Sequence, residues 1–181
     1  RTARGLRSPD PVLAAQLCEA AGADGITAHL REDRRHIRDE DVARLRGAVT
    51  TMLNLEMAAT AEMIALAERV RPDVITLVPE RREERTTEGG LDVVGQRAAI
   101  EATVAMAREA GIKVSLFIAA DEDAVAASRE VGVQQIELHT GEYCHATGAR
   151  VAHELGRLQR AAAMGKALGL DVAAGHGLTR H

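Results

Sequence analysis

Aromatic side chains are nearly missing: of 181 residues one is Phe, one is Tyr and none is Trp. A core built on large rings is thereby excluded. The 46% hydrophobic content rests on Ala, Val, Leu and Ile instead, which suit small, repeated helix-on-strand contacts. Cysteine is equally scarce. Cys18 and Cys144 form no CxxC pair, so neither a disulfide framework nor a cysteine-rich metal cluster is available, and a cytoplasmic location is expected. No apolar stretch approaches the roughly 18 to 20 residues that cross a bilayer. Basic excess is lacking too. A net charge of -4 and a pI near 6.0 give no general attraction for nucleic acid or an anionic membrane, so no nucleic-acid or membrane partner is expected and anion binding must be local.

What the chain does contain is alternation. Six strand-like runs, at 24–30, 51–57, 73–79, 113–119, 134–140 and 170–176, are separated by amphipathic segments near 11–21, 39–49, 60–70, 95–110, 121–131 and 149–168. This is the pattern of consecutive βα units on a parallel sheet. Punctuation agrees with it: Asp10 is placed to cap a helix that starts at Pro11, and Gly22, Gly111, Gly132 and Gly169 follow helix ends. Asp39, Glu40 and Asp41 occupy a first turn, where acids complement the helix dipole. No linker or low-complexity tract interrupts residues 1–181, which are expected to form a single domain.

Strand parity carries more information. Ile26, Ala28 and Leu30 alternate with Thr27, His29 and Arg31; Leu53 and Leu55 with Asn54 and Glu56; Ile75 and Leu77 with Thr76, Val78 and Glu80; Ile136 and Leu138 with Glu137 and His139. A sheet covered by helices on both faces reads as continuous apolar strands. Recurrent polar groups on one face, mostly near strand C-terminal ends, favour an α/β (β/α)8 TIM barrel whose interior opens to a site at that end. The expected barrel is truncated here, lacking the first strand and the last βα unit. A doubly wound sheet is the alternative, but it calls for a Gly-rich turn after its first strand, and "HLREDRRH" contains no glycine.

Four ionisable groups fall at predicted strand ends: His29, Glu56, Glu137 and His176. In a barrel these positions converge, and two carboxylates with two imidazoles supply proton removal and return for multistep carbonyl chemistry. Arg31, Arg34, Arg35 and His36 follow His29 closely, and guanidinium forks match phosphate oxygens. Arg31 shares the parity of His29, Arg34 and Arg35 are as readily a solvated charged loop, and Arg4 is a further phosphate candidate. The segment 79–92, "PERREERTTEGGLD", is long for a βα loop and reads as a lid on a Gly-Gly hinge, with Thr86 and Thr87 as donors to phosphate. "GHG" at 175–177 allows close backbone approach to an anion. A metal site is the rival use of His29, Glu56, Glu137, His139 and His176. Against it, no HxH or HExxH spacing occurs, and neighbouring arginines repel a cation.

The motifs "GADGITAHLREDRRHIRDEDV", "LNLEMA", "LVPERREERTTEGGLDV", "VSLFIAADE", "IELHTGEY" and "AGHGL" together resemble the pyridoxine 5'-phosphate synthase family. The resemblance implies a (β/α)8 enzyme that condenses 1-deoxy-D-xylulose 5-phosphate with 3-amino-2-oxopropyl phosphate to pyridoxine 5'-phosphate, inorganic phosphate and water. It implies no metal or organic cofactor, and a homo-oligomer, typically an octamer. Carried over by motif, His29 and Glu56 become proton acceptors, His176 a proton donor, and Glu137 a group that stabilises a transition state. Arg31, His36 and Thr86 hold the deoxyxylulose phosphate, Gly177 lies near the aminoketone, and Arg4 lines the phosphate region. A metal-dependent barrel aldolase or isomerase acting on a sugar phosphate, and an inactive phosphate-binding piece, are the alternatives. An open six-strand segment exposes two sheet edges, so on its own it is expected to be inactive and prone to aggregate.

Overall fold

The computed structural model describes residues 9–79 and 89–179. Its elements run α1 (Pro11–Ala20), β1 (Gly25–His29), α2 (Asp39–Ala48), β2 (Met52–Met57), α3 (Ala61–Val70), β3 (Val74–Leu77), α4 (Arg97–Ala110), β4 (Lys113–Ile118), α5 (Glu122–Glu130), β5 (Gln135–His139), α6 (Gly141–His145), α7 (Ala149–Ala167) and β6 (Asp171–Gly175). Every expected strand and helix is there, each within a few residues of its anticipated ends. The exception is α6, which falls in "GEYCH". Five residues are too few to show helical periodicity, so this turn was legible only as loop.

Local chemistry explains the boundaries. The Val12 amide donates to Asp10 Oδ1 at 3.0 Å, and Pro11, which has no amide donor, takes the first helical position. Thr60 accepts from the Met63 amide at 3.3 Å to start α3, and Asp121 accepts from the Asp123 and Ala124 amides to start α5. Gly22, Gly111, Gly132 and Gly169 all adopt positive φ after helix ends.

All six strands are parallel and neighbour one another in chain order, from β1 to β6. A doubly wound sheet reverses its order at a switch point; this one never does. The register places His29 beside Glu56, Phe117 beside Glu137 and His139 beside Gly175. Among the described residues β1 pairs only with β2 and β6 only with β5. The sheet is nevertheless strongly curled, because residues from the ends of both β1 and β6 line one cleft. A curled, sequentially ordered parallel sheet with helices between strands is the (β/α) barrel architecture, with six strands of it in view.

Parity decides what lies on each side. Leu55, Ile75, Leu77, Leu116, Ile118, Ile136 and Leu138 face the helices and are buried, forming the main core with Met63, Leu66, Ile100 and Val104. A smaller cluster of Ala15, Ala28, Leu45, Val49 and Leu53 seals α1 and α2 onto β1 and β2. The opposite parity lines the inside of the curl with small polar groups. Thr76 donates to Asn54 Oδ1 at 2.9 Å, and Asn54 Nδ2 reaches Thr27 at 3.4 Å. Ser115, next in register after Thr76, is fully buried, and its hydroxyl has no hydrogen-bond partner among the described residues.

Candidate active site

At the C-terminal end of the sheet lies an open cleft of about 520 Å3, lined by His29, Glu56, Glu137 and His176 together with Phe117 and His139, and edged by Val78, Pro79 and Gly89. Each polar side chain comes from a different strand end except Glu137 and His139, which share β5 two residues apart. The four ionisable groups singled out by strand position are thus brought together. Convergence follows from geometry: inward parity combined with a curled sheet aims successive strand ends at one axis.

Glu137 packs its carboxylate directly over Gly175. A Cβ built on Gly175 would overlap Glu137 Oε1 outright and stand 3.3 Å from its Cδ. Burial, and after it the nearby Glu56 carboxylate, pushes the Glu137 carboxyl above its usual range. Such a carboxyl holds a proton more readily than a solvated one, which suits a group that must donate a hydrogen bond or exchange a proton.

His176 lies one residue beyond β6 with φ +81, a conformation that L side chains rarely adopt. The turn is held by Thr140, whose hydroxyl lies 2.6 Å from the Gly175 carbonyl and 2.7 Å from that of His176, so its single proton is shared between them. The Thr140 amide also donates to Gly175 O at 2.9 Å, and Cys144 Sγ lies 3.7 Å from His176 O. Gly177, at φ +86, packs against Cys144: an added Cβ would stand 3.4 Å from its Sγ.

The charged run after His29 behaves differently from its parity. β1 ends at His29 and residues 31–34 form a turn, the Arg34 amide donating to Arg31 O at 3.0 Å. Strand alternation therefore cannot be extended to Arg31. Its guanidinium forks onto Asp33 at 3.1 and 3.2 Å and does not line the cleft. That bond, with the Arg35 amide, holds the Asp33 carboxyl down at about 2. Arg34, at φ +50, bonds Asp39 at 2.8 Å, the Glu32 carbonyl at 2.9 Å, and Glu62; it is a structural clamp between the loop, α2 and α3. His36 is exposed and lines a second, mostly apolar groove along β1 beside α1, a groove that also reaches His29. Arg4, Glu80, Thr86 and Thr87 lie outside the described residues. At the end of that loop Gly90 presses onto β4, where a Cβ would stand 2.7 Å from the Ile118 carbonyl carbon, and Leu91 N donates to Phe117 O at 2.8 Å.

Two residues at the site had received no role on sequence grounds: Phe117, which shares the inward parity and could have been found by it, and Thr140, which acts only across a strand pairing and left no signal. His139 had been read only as a rival metal ligand and Gly175 only as part of the "GHG" turn. Among the described residues, no group of three or more His, Cys, Asp or Glu side chains is arranged to hold a metal ion. No helix among them is long and apolar enough to cross a membrane.

Comparison with known proteins gives a consistent answer. A family model described as "Pyridoxal phosphate biosynthesis protein PdxJ" matches residues 1–181. A pyridoxine 5'-phosphate synthase of Xanthobacter autotrophicus is 58% identical over 182 aligned positions, covering 98% of this chain and 71% of the relative. One from a Synechococcus strain is 55% identical, covering 99% and 72%. Among solved structures, a crystal structure of KGPDC from Streptococcus mutans superposes with a TM-score of 0.65 at 14% identity, over 93% of this chain and 72% of that one. That likeness concerns the fold alone.

Proposed function

Since the chain belongs to the PdxJ family of pyridoxal phosphate biosynthesis proteins, we propose the following reading of its cleft. The enzyme is a pyridoxine 5'-phosphate synthase. Its reaction joins 3-amino-2-oxopropyl phosphate to 1-deoxy-D-xylulose 5-phosphate, forming pyridoxine 5'-phosphate, inorganic phosphate and water. The observation that carries this is the convergence of His29, Glu56, Glu137 and His176 from four strand ends on one cleft, in a chain matched by the family throughout.

Ring closure between an aminoketone and a ketose phosphate requires one carbon–nitrogen and one carbon–carbon bond. Both need protons taken from carbon or nitrogen and returned to the oxygens that leave as water, while one phosphate leaves as inorganic phosphate. His29 and Glu56, neighbours in register on β1 and β2, take the protons. His176, on the opposite wall, returns one. Glu137 between them, with its raised proton affinity, stabilises the oxygen on which charge develops. Arg31, His36 and Thr86 hold the phosphate of the ketose, with Arg31 exchanging Asp33 for phosphate oxygens; Gly177 contacts the aminoketone and Arg4 the phosphate region. No metal or organic cofactor is required.

The substrates are small phosphorylated molecules, in keeping with a net charge of -4 that favours neither nucleic acid nor membrane. The protein works in the cytoplasm, a setting that suits its two free cysteines, and it assembles as a homo-oligomer, an octamer by family resemblance. The test is ring formation from the two substrates by the full-length protein in EDTA, followed by pyridoxine phosphate absorbance. Product is expected. Activity that appears only after a divalent ion is added would favour a metal-dependent enzyme, and no product in either condition would overturn the synthase assignment.

A further inference from the structure

The last residue of β5 is His139, and its ring occupies a slot that only glycines permit. A Cβ on Gly141 would lie 2.5 Å from its Cε1 and 2.8 Å from its Nε2; one on Gly89 would lie 3.0 and 3.3 Å from the same atoms. The ring is also the centre of an aromatic cluster. Phe117 meets it edge-on, with centroids 5.2 Å apart and planes at 89°, and the His176 ring lies against it at 4.8 Å and 37°. A ring clasped this way has little rotamer freedom, and it transmits that order to His176, which is otherwise exposed.

The ring's Nδ1 is buried and has no hydrogen-bond partner among the described residues. An unpaired polar atom in such a place is costly. His139 also borders a small space of about 10 Å3, lined by Ala119, Ala120 and Leu158 together with Glu142 and Tyr143 of α6 and Glu154 and Arg157 of α7. Glu154 is buried and accepts from Arg157 at 3.0 Å. Roughly 10 to 15 Å3 is the space one water needs, and two to four polar neighbours are what holds it.

We propose that His139 is a positioning residue for His176, anchored through its Nδ1 by a single water bound between β5, α6 and α7. A water facing carboxylates spends its hydrogens on them and accepts from Nδ1–H. That fixes the tautomer, leaving the lone pair on Nε2. The groups facing His139 are His176 after β6, Glu142 and His145 on α6, Glu154 and Arg157 on α7, and Glu137 on its own strand. Burial first, and His176 next, hold the His139 imidazole below its usual range, so it is uncharged at neutral pH. An uncharged ring gives a protonated His176 a π-face to rest on, whereas a second imidazolium would repel it. A neutral His139 thus sets no second positive charge beside His176, the proton donor of the proposed reading.

This inference rests on the synthase reading for its kinetic consequence, but its structural part can be tested without activity. In full-length protein labelled with 15N-histidine, long-range imidazole spectra should show one ring that stays neutral, with its proton on Nδ1, below the pH at which an ordinary histidine titrates. Loss of that signal in His139→Phe assigns it. Kinetically, H139F keeps an aromatic ring but no nitrogen. It should lower kcat on the order of 10- to 100-fold, the usual cost of losing a group that orients another, with KM for both substrates unchanged and the acid limb of the kcat profile displaced. His139→Asn, which keeps a donor near the place of Nδ1, should recover part of the loss. A His139 ring that is protonated at neutral pH, or has its proton on Nε2, would overturn the proposal whether or not H139F folds. Wild-type kcat and an unmoved pH profile in a folded H139F would do the same. An inactive wild-type enzyme whose His139 shows the expected tautomer would count against the synthase reading and leave the anchored ring standing.

Discussion

Gly175→Ala is the most economical test of the site's geometry, because one methyl group meets one catalytic candidate. Gly175 lies in β6 opposite His139, and its φ is not among the positive values seen for other glycines. Alanine therefore fits the backbone there, and on that ground alone would stabilise by about 0.4–1 kcal/mol through the unfolded chain. The new Cβ would clash with Glu137 Oε1. The far end of a flexible side chain can withdraw, so the overpacking cost falls at the low end of about 1–3 kcal/mol. The two effects nearly cancel. Stability should change by less than about 1 kcal/mol, or no more than roughly 2–4 °C in a domain of this size. Activity should respond far more. The carboxylate must retreat by about 1 Å, and a displacement of that size at a reacting group costs on the order of 10² in rate. The assay is kcat for pyridoxine phosphate formation beside a thermal melt of the same preparation. A melt near wild type with a hundredfold slower enzyme is expected. Full activity would refute the argument that Glu137 works from its seat over Gly175.

Other predictions follow from single groups. Because burial and Glu56 raise the Glu137 carboxyl above 4.5, the folded state binds its proton more tightly than the unfolded chain does. Wild type therefore loses stability relative to Glu137→Gln as pH rises through that raised value, and the two should match in more acid solution. Melts of E137Q should equal or exceed wild type at pH 8 while turnover collapses; a lower melting temperature confined to pH 8 would show that the carboxylate is stabilised instead. Thr140→Val deprives the Gly175 and His176 carbonyls of their hydroxyl donor, at about 1–3 kcal/mol. With the positive-φ turn loosened, kcat should fall along with the melting temperature, and unchanged kinetics would remove Thr140 from the support of His176. Ser115→Ala deletes a fully buried hydroxyl without a partner among the described residues; it should stabilise the protein by about 1 kcal/mol, and destabilisation in a denaturant melt would reveal a partner for that oxygen.

The charged stretch from His29 to Ile37 shows how far local reasoning reaches. Period-two alternation placed His29 on the inner face correctly, and it stopped being informative at the residue where the strand stops. Arg31 is the next inward position in a strand but the first of a turn in the protein, so its fork meets Asp33 rather than the cleft. Arg34 looked like a phosphate ligand or a solvated charge and proves to be tied to Asp39 and Glu62. Glu62 is 28 residues away, and no spacing rule links the two.

The order of the strands and of the longer helices, the inward face of β1, β2, β3 and β5, the Asp10 cap and the glycines that end helices, and the four strand-end acids and histidines were legible in the sequence. Each depends on interactions within a few residues, or on a period that a short window displays. Tertiary structure alone decided the rest. The seat of Glu137 on Gly175, the hold of Thr140 on the His176 turn, the glycine clasp around His139 and the small space it borders all join segments that meet only when β5 pairs with β6 and α6 and α7 pack against the sheet. Sheet pairing is a long-range choice, made by burial of the whole apolar face, and a side chain's partner across it is set by register rather than by its own neighbours in the chain.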